Sequence, residues 1–128
     1  RRYNIDVVAH IMVGLPMETQ EDIANTVKFI NNHDVQGIKI HSTYVVKNTK
    51  LAKMYELGEY VPISLEYYLE KLEYIITHLR GDIIISGDAP KDLLVAPGWN
   101  LHKKWVLNGI EKILKEKNKW QGMNVMEF

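Results

Sequence analysis

Cysteine is absent from the 128 residues, which removes disulfides, a thiol nucleophile and any thiolate ligand to a metal or cluster from this chain. Net charge is also absent. Sixteen basic residues balance sixteen acidic ones, interspersed along the sequence, so no field draws this part toward nucleic acid or an anionic membrane. No apolar run approaches the ~18 residues that span a bilayer. Arg1-Arg-Tyr-Asn4 leads into strand-like sequence, unlike a signal peptide. The expectation is a soluble, cytoplasmic chain with no membrane partner, nucleic acid being an unfavoured partner for this part. What is present suffices for a core: 46% apolar residues in a length typical of one domain.

Strand-like and helix-like segments alternate. Ile5 to Val13 is apolar and β-branched, and Thr19 can cap a following helix, with Asp22 three residues on as its capping-box partner. Ile23, Val27 and Ile30 fall on one face of that helix. A second strand, Gly37 to Val46, follows about 30 residues after the first, the length of a βαβ unit, and a right-handed crossover would make the two strands parallel. Asn48 or Thr49 opens a short helix that stops at Gly58, lengthening the loop beyond the second strand's carboxyl end. Ser64 caps the clearest helix, whose Leu65, Tyr68, Leu69, Leu72, Ile75, Ile76 and Leu79 repeat at three and four. Gly81 ends it, Asp82 to Ser86 reads as a short buried strand, and Gly87-Asp-Ala-Pro90 breaks the chain. A last helix is expected from Asn100 to about Asn118, while Trp120 to Phe128 shows no pattern.

Three strands make a small open sheet, and the chain begins almost directly in a central-looking strand. The expectation is therefore the carboxyl-terminal part of a larger α/β protein. Side chains alternate across a strand, so His10 shares a face with Val8 and Met12, and Lys39, His41 and Thr43 share one face against Ile38 and Ile40. Polar residues inside parallel strands call for a ligand or a network, and in barrels chemistry gathers at the carboxyl ends. His10, Lys39, His41, Thr43 and Tyr44 would then line one cavity, with Asp88 at its mouth.

Val13-Gly-Leu-Pro-Met-Glu-Thr19 resembles the Gly-Leu-Pro-Gly-Glu-Thr turn in the later half of the partial (β/α)6 barrel of radical S-adenosylmethionine (radical SAM) enzymes, with Met17 where that family usually places glycine. Gly37-Ile-Lys-Ile-His41, Gly87-Asp-Ala-Pro90 and Trp120-Gln-Gly122 extend the resemblance to the Fe–S oxidoreductase subgroup, and it covers nearly the whole chain. It implies an α/β fold, the C-terminal part of a partial TIM-type (β/α)6 barrel with about three parallel strands and covering helices over 1–119, followed by a tail over 120–128. In that family three cysteines of a CxxxCxxC loop hold a [4Fe–4S] cluster, and electron transfer to the bound cofactor releases a 5′-deoxyadenosyl radical. The full-length parent would thus use S-adenosylmethionine and [4Fe–4S]. This chain alone, without cysteine, would be inactive and bind neither. His10, Gly14, Leu15, Pro16, Glu18, His41 and Tyr44 would face the cofactor, and Lys39, Thr43 and Asp88 the substrate. The expected partners are the missing N-terminal half and, through the exposed edge of the first strand, a second copy.

Plainer readings stand beside these. Gly14 and Pro16 serve any strand-to-helix turn, Glu18 suits a helix amino terminus, and Asp88 equally suits a cap on its own turn. Lone strand histidines are usually core residues, and a two-histidine metal site lacks a third ligand of diagnostic spacing. Lys39 would meet a carboxylate or phosphate of the ligand or, on the plainer reading, pair with a carboxylate of the missing half or with Asp88. Trp99, Trp105 and Trp120 read as packing residues. The rival functions are a small non-catalytic α/β phosphate- or nucleotide-binding module and a metal-free hydrolase, the latter with no nucleophile convincingly placed.

Overall fold

The structure, a computed structural model, describes residues 5–87 and 94–127. Three strands form a parallel sheet in the order β1 (Val8–Val13), β2 (Gly37–Ser42), β4 (Ile84–Gly87). Between them run α1 (Gln20–Asn31), β3 (Val45–Val46), α2 (Lys50–Glu56) and α3 (Leu65–His78). β5 (Leu94–Ala96) and α4 (Lys103–Glu116) follow β4. In register, Val8 faces Gly37, His10 faces Lys39 and Met12 faces His41, while Lys39 faces Ser86 across the other edge.

The alternation along these strands sorts the sheet into two unlike faces. Ile11, Val13, Ile38 and Ile40 are buried with Ile23, Val27 and Ile30 of α1, Tyr68, Leu72 and Ile75 of α3, and Ile110 of α4. The intervening residues point the other way: Val8 is 53%, Met12 47% and Ile84 75% exposed. Among the described residues, helices therefore cover one face only. Parallel sheets ordinarily bury both.

The helix signals in the sequence correspond to real caps. The Thr19 side chain accepts from the Asp22 amide while the Thr19 amide donates to the Asp22 carboxylate at 2.9 Å, a complete capping box. The Ser64 hydroxyl accepts from the Tyr67 amide at 3.1 Å. The strand boundaries differ from expectation. Residues 5–7 are not strand: the Val7 amide is taken by the Gln36 side chain at 2.7 Å instead of a backbone ladder. The second strand stops at Ser42. The Thr43 amide still reaches the Val13 carbonyl at 2.8 Å, but the chain then turns away and Val45–Val46 pairs antiparallel with β5, a strand the sequence reading lacked.

Two further boundaries move. The strand expected over 82–86 runs Ile84–Gly87 and is not buried, because it lies at the sheet edge with Ile84 on the uncovered face. The last helix starts at Lys103, since Gly98–Leu101 forms a 3-10 turn in which Asn100 is buried and accepts from the Ser42 hydroxyl. The segment after Trp120, patternless in sequence, ties down the carboxyl end of α3. Gly122 and Asn124 amides donate to the Ile76 and Thr77 carbonyls at 3.0 and 2.8 Å, and the Gln121 amide group donates to Arg80 and Ile83. Carbonyls that a helix end leaves open are thereby satisfied.

Candidate functional site

The carboxyl end of β1 closes in a tight turn whose geometry explains its residues. Gly14 has φ +100°, and a Cβ there would meet Ile63 at 2.7 Å, so both backbone angle and space demand glycine. Its amide donates to the Glu18 carboxylate at 2.5 Å, its carbonyl accepts from the Tyr60 hydroxyl at 2.9 Å, and the Glu18 amide donates to Leu15 O at 3.1 Å. Met17 has φ +63°, the left-handed conformation that glycine adopts without cost, and is 96% exposed. That conformation accounts for the glycine that the resembling turns carry at this position. Burial first, and then the Glu18 charge, push the Tyr60 and Tyr67 phenols above their ordinary value, so both stay protonated donors at neutral pH. A groove of ≈ 350 Å³ runs beside the turn, lined by His10, Met12, Leu15, Pro16, Met17 and Glu18 among others.

On the uncovered sheet face His10, Lys39 and Ser86 lie in one row across the three strands. His41 follows one step along. His10 Nδ1 and His41 Nε2 are 2.9 Å apart, with the rings stacked at 5.0 Å between centroids and 17° between planes. A hydrogen bond between two imidazoles needs one ring to donate and the other to accept, so the contact fixes the two rings relative to one another. His10 is exposed and His41 and Lys39 are half-buried. The structure thus brings His10, Lys39 and His41 together on one open face that abuts the Gly14–Glu18 turn.

The other expected residues are placed less uniformly. Leu15 is 45% exposed along the groove, beside Pro16, and Tyr44 is half-buried in the link to β3. Thr43 is 2% exposed, covered where the chain turns away from β2, so it does not open onto the face it was expected to line. Asp88 lies outside the described residues. Among the described residues no group of three or more His, Asp or Glu is placed to hold a metal ion. No helix among them is long and apolar enough to cross a membrane. Sequence reasoning missed Tyr60 and Ile63, which meet Gly14 from about 46 residues away, a contact with no local sign.

Comparison with known proteins places the chain by family and fold. The family model described as Radical_SAM C-terminal domain matches residues 35–116. The uncharacterised protein YtqA of Bacillus subtilis is 34% identical over 125 residues, 95% of this chain and 39% of its own length. Protein YhcC of Escherichia coli is 34% identical over 102 residues, 77% of this chain and 33% of its own length. The chain thus spans about two fifths or less of these curated relatives. Among solved structures, Elp3 of the archaeon Methanocaldococcus infernus superposes with a TM-score of 0.71 at 20% identity, over 91% of this chain and 28% of that one, a likeness of fold. With its C-terminal-domain model matching well over half of the residues, the chain belongs to the radical SAM family.

Proposed function

We propose that this chain forms the later wall of the reaction cavity in a radical SAM enzyme, the closing strands of a partial (β/α)6 barrel. The observation that carries this is the uncovered face of a parallel sheet, polar in its middle with His10, Lys39 and His41, meeting the Gly14 turn at its carboxyl end. Parallel sheets are ordinarily covered on both faces, and this reading takes the uncovered one as the interior of a barrel completed by other strands.

The residues present suit the adenosine end of S-adenosylmethionine. Leu15, Pro16 and Met17 form an apolar ledge against which a flat base packs, and the exposed His10, which lines the same groove, offers a polar contact at its rim. Glu18 holds the turn through the Gly14 amide, and His41 fixes the His10 ring. Tyr44 lies farther along the same end of the sheet, and Lys39, on the open face, is the residue assigned to substrate. In the whole protein the [4Fe–4S] cluster and S-adenosylmethionine supply the one-electron chemistry. The cluster does not fit this chain, which has no thiolate to hold it. The chain by itself is inactive, and its work is to bind, orient and shape. A phosphate at the turn, as a nucleotide-binding module would need, is disfavoured by charge, since the Glu18 carboxylate already occupies the Gly14 amide.

The test belongs in the full-length parent. Replacing His10 or His41 by Gln keeps most of the packing volume, so stability should hold within about 1 kcal/mol. Cleavage of S-adenosylmethionine or substrate turnover should fall at least about tenfold, roughly 1.4 kcal/mol of barrier. Lost stability with unchanged activity per folded molecule would make the pair structural and refute its place in the cavity.

A further inference from the structure

The segment between β2 and α3 is more than a connection. Residues 43–63, with β5, build a second small core in which Val45, Ala52, Tyr60 and Ala96 are all buried, separate from the core under the sheet. Two of its side chains leave this segment for the back of the Gly14 turn. The Tyr60 hydroxyl donates to the Gly14 carbonyl at 2.9 Å, and Ile63 closes on the Gly14 Cα so tightly that no Cβ would fit. Ile63 is itself held, because its carbonyl accepts the Trp99 indole N–H at 2.9 Å, and Trp99 packs beside Tyr68 of α3.

We propose that Tyr60, seconded by Ile63, is a positioning residue that fixes the Gly14–Glu18 turn from behind and so sets the affinity of the ledge for the cofactor, an inference that rests on the cavity reading above. The arrangement has the features such a role requires. The Gly14 amide is held by Glu18 from within the turn, which leaves its carbonyl, the other end of the same residue, to be fixed from outside. Tyr60 is rooted in a core of its own, so its hydroxyl arrives at a defined place with little freedom left to lose. Its phenol remains a donor at neutral pH because burial and the nearby Glu18 charge both oppose ionisation. Tyr60 is buried and does not line the groove. It acts on the ligand only through Gly14.

The experiment uses the full-length protein, loaded with its cluster, as wild type and as Tyr60→Phe, which deletes one oxygen. Three quantities are read: thermal midpoint, amide hydrogen exchange of the peptide spanning 10–19, and affinity and KM for S-adenosylmethionine. The midpoint should move by no more than a few degrees, about what one lost hydrogen bond produces. Exchange in 10–19 should quicken at least about fivefold relative to α1. S-adenosylmethionine should bind about tenfold more weakly, with KM raised and kcat at saturation nearly kept, the split expected when ground-state and transition-state binding fall together. Ile63→Ala, which withdraws the other contact, should act in the same direction and decides the matter if Tyr60→Phe does not accumulate. Unchanged exchange overturns the clamp, and faster exchange with unchanged affinity overturns its role toward the ligand. Failure of the wild type to bind S-adenosylmethionine overturns the cavity reading instead, and the exchange comparison still reports on the clamp by itself.

Discussion

Met17 shows how much a single backbone angle explains. It sits at φ +63° with its side chain almost wholly in solvent, so it carries a left-handed conformation without a packing reward. For a residue with a Cβ that conformation costs roughly 1–2 kcal/mol, while glycine's extra freedom in the unfolded chain costs about 0.4–1 kcal/mol. Met17→Gly should therefore stabilise the protein by about 0.5 kcal/mol, read as a raised midpoint in denaturant titration. A loss of stability would mean that the side chain makes a contact in the whole protein. At this scale the sequence was most informative where local rules apply. Strand parity put His10, Lys39 and His41 on one face, and Gly14 advertised a special angle. The same parity rule misplaced Thr43, because it presumes an uninterrupted strand, and β2 ends one residue before it. Tyr60 was invisible for a different reason: its partner is a backbone carbonyl 46 residues away, and a carbonyl carries no sequence identity.

Glu73 couples two elements. It lies buried on α3, and its carboxylate takes Lys119 at 2.7 Å and Lys117 at 3.1 Å from the segment that ends α4. Burial raises its pKa, but the hydrogen bonds and charges of the two lysines outweigh burial, and the carboxyl sits below its ordinary value of 4.5. A carboxylate lowered in the native state contributes stability that is complete above the unfolded value and is lost as pH falls from about 4.5 through the native value. Glu73→Gln should lower stability by about 1–2 kcal/mol at neutral pH and flatten the acid limb of the midpoint-against-pH curve. An unaltered acid limb would show that the lysines hold solvent-screened partners only. Helices were the most legible elements, since Thr19 and Ser64 mark their own starts and the apolar faces repeat over several turns. β3 and β5 were not, because each is two or three residues long and takes its identity from the other, nearly fifty residues distant. The anchoring of 121–124 was equally hidden, being made by two backbone amides and the Gln121 side chain, all meeting backbone carbonyls that carry no sequence identity.

The whole molecule is asymmetric: helices on one side of the sheet, and on the other a bare face with exposed Val8, Met12 and Ile84 around a polar row. The count of strand-like segments suggested that three strands were too few, and the one-sided burial gives that suggestion its physical form. Among the described residues β1 lies at an edge of the sheet, and such an edge is open to pairing with a further strand. Everything proposed for the site follows from that bare face being the inside of a reaction cavity. The most direct measurement is photolabelling of the cluster-loaded, full-length protein with an azido-adenine analogue of S-adenosylmethionine, with the labelled peptide identified by mass spectrometry. The account predicts label within 10–18, displaced by excess S-adenosylmethionine. Displaceable label confined to peptides outside the open face and its turn, with none in 10–18, would contradict it.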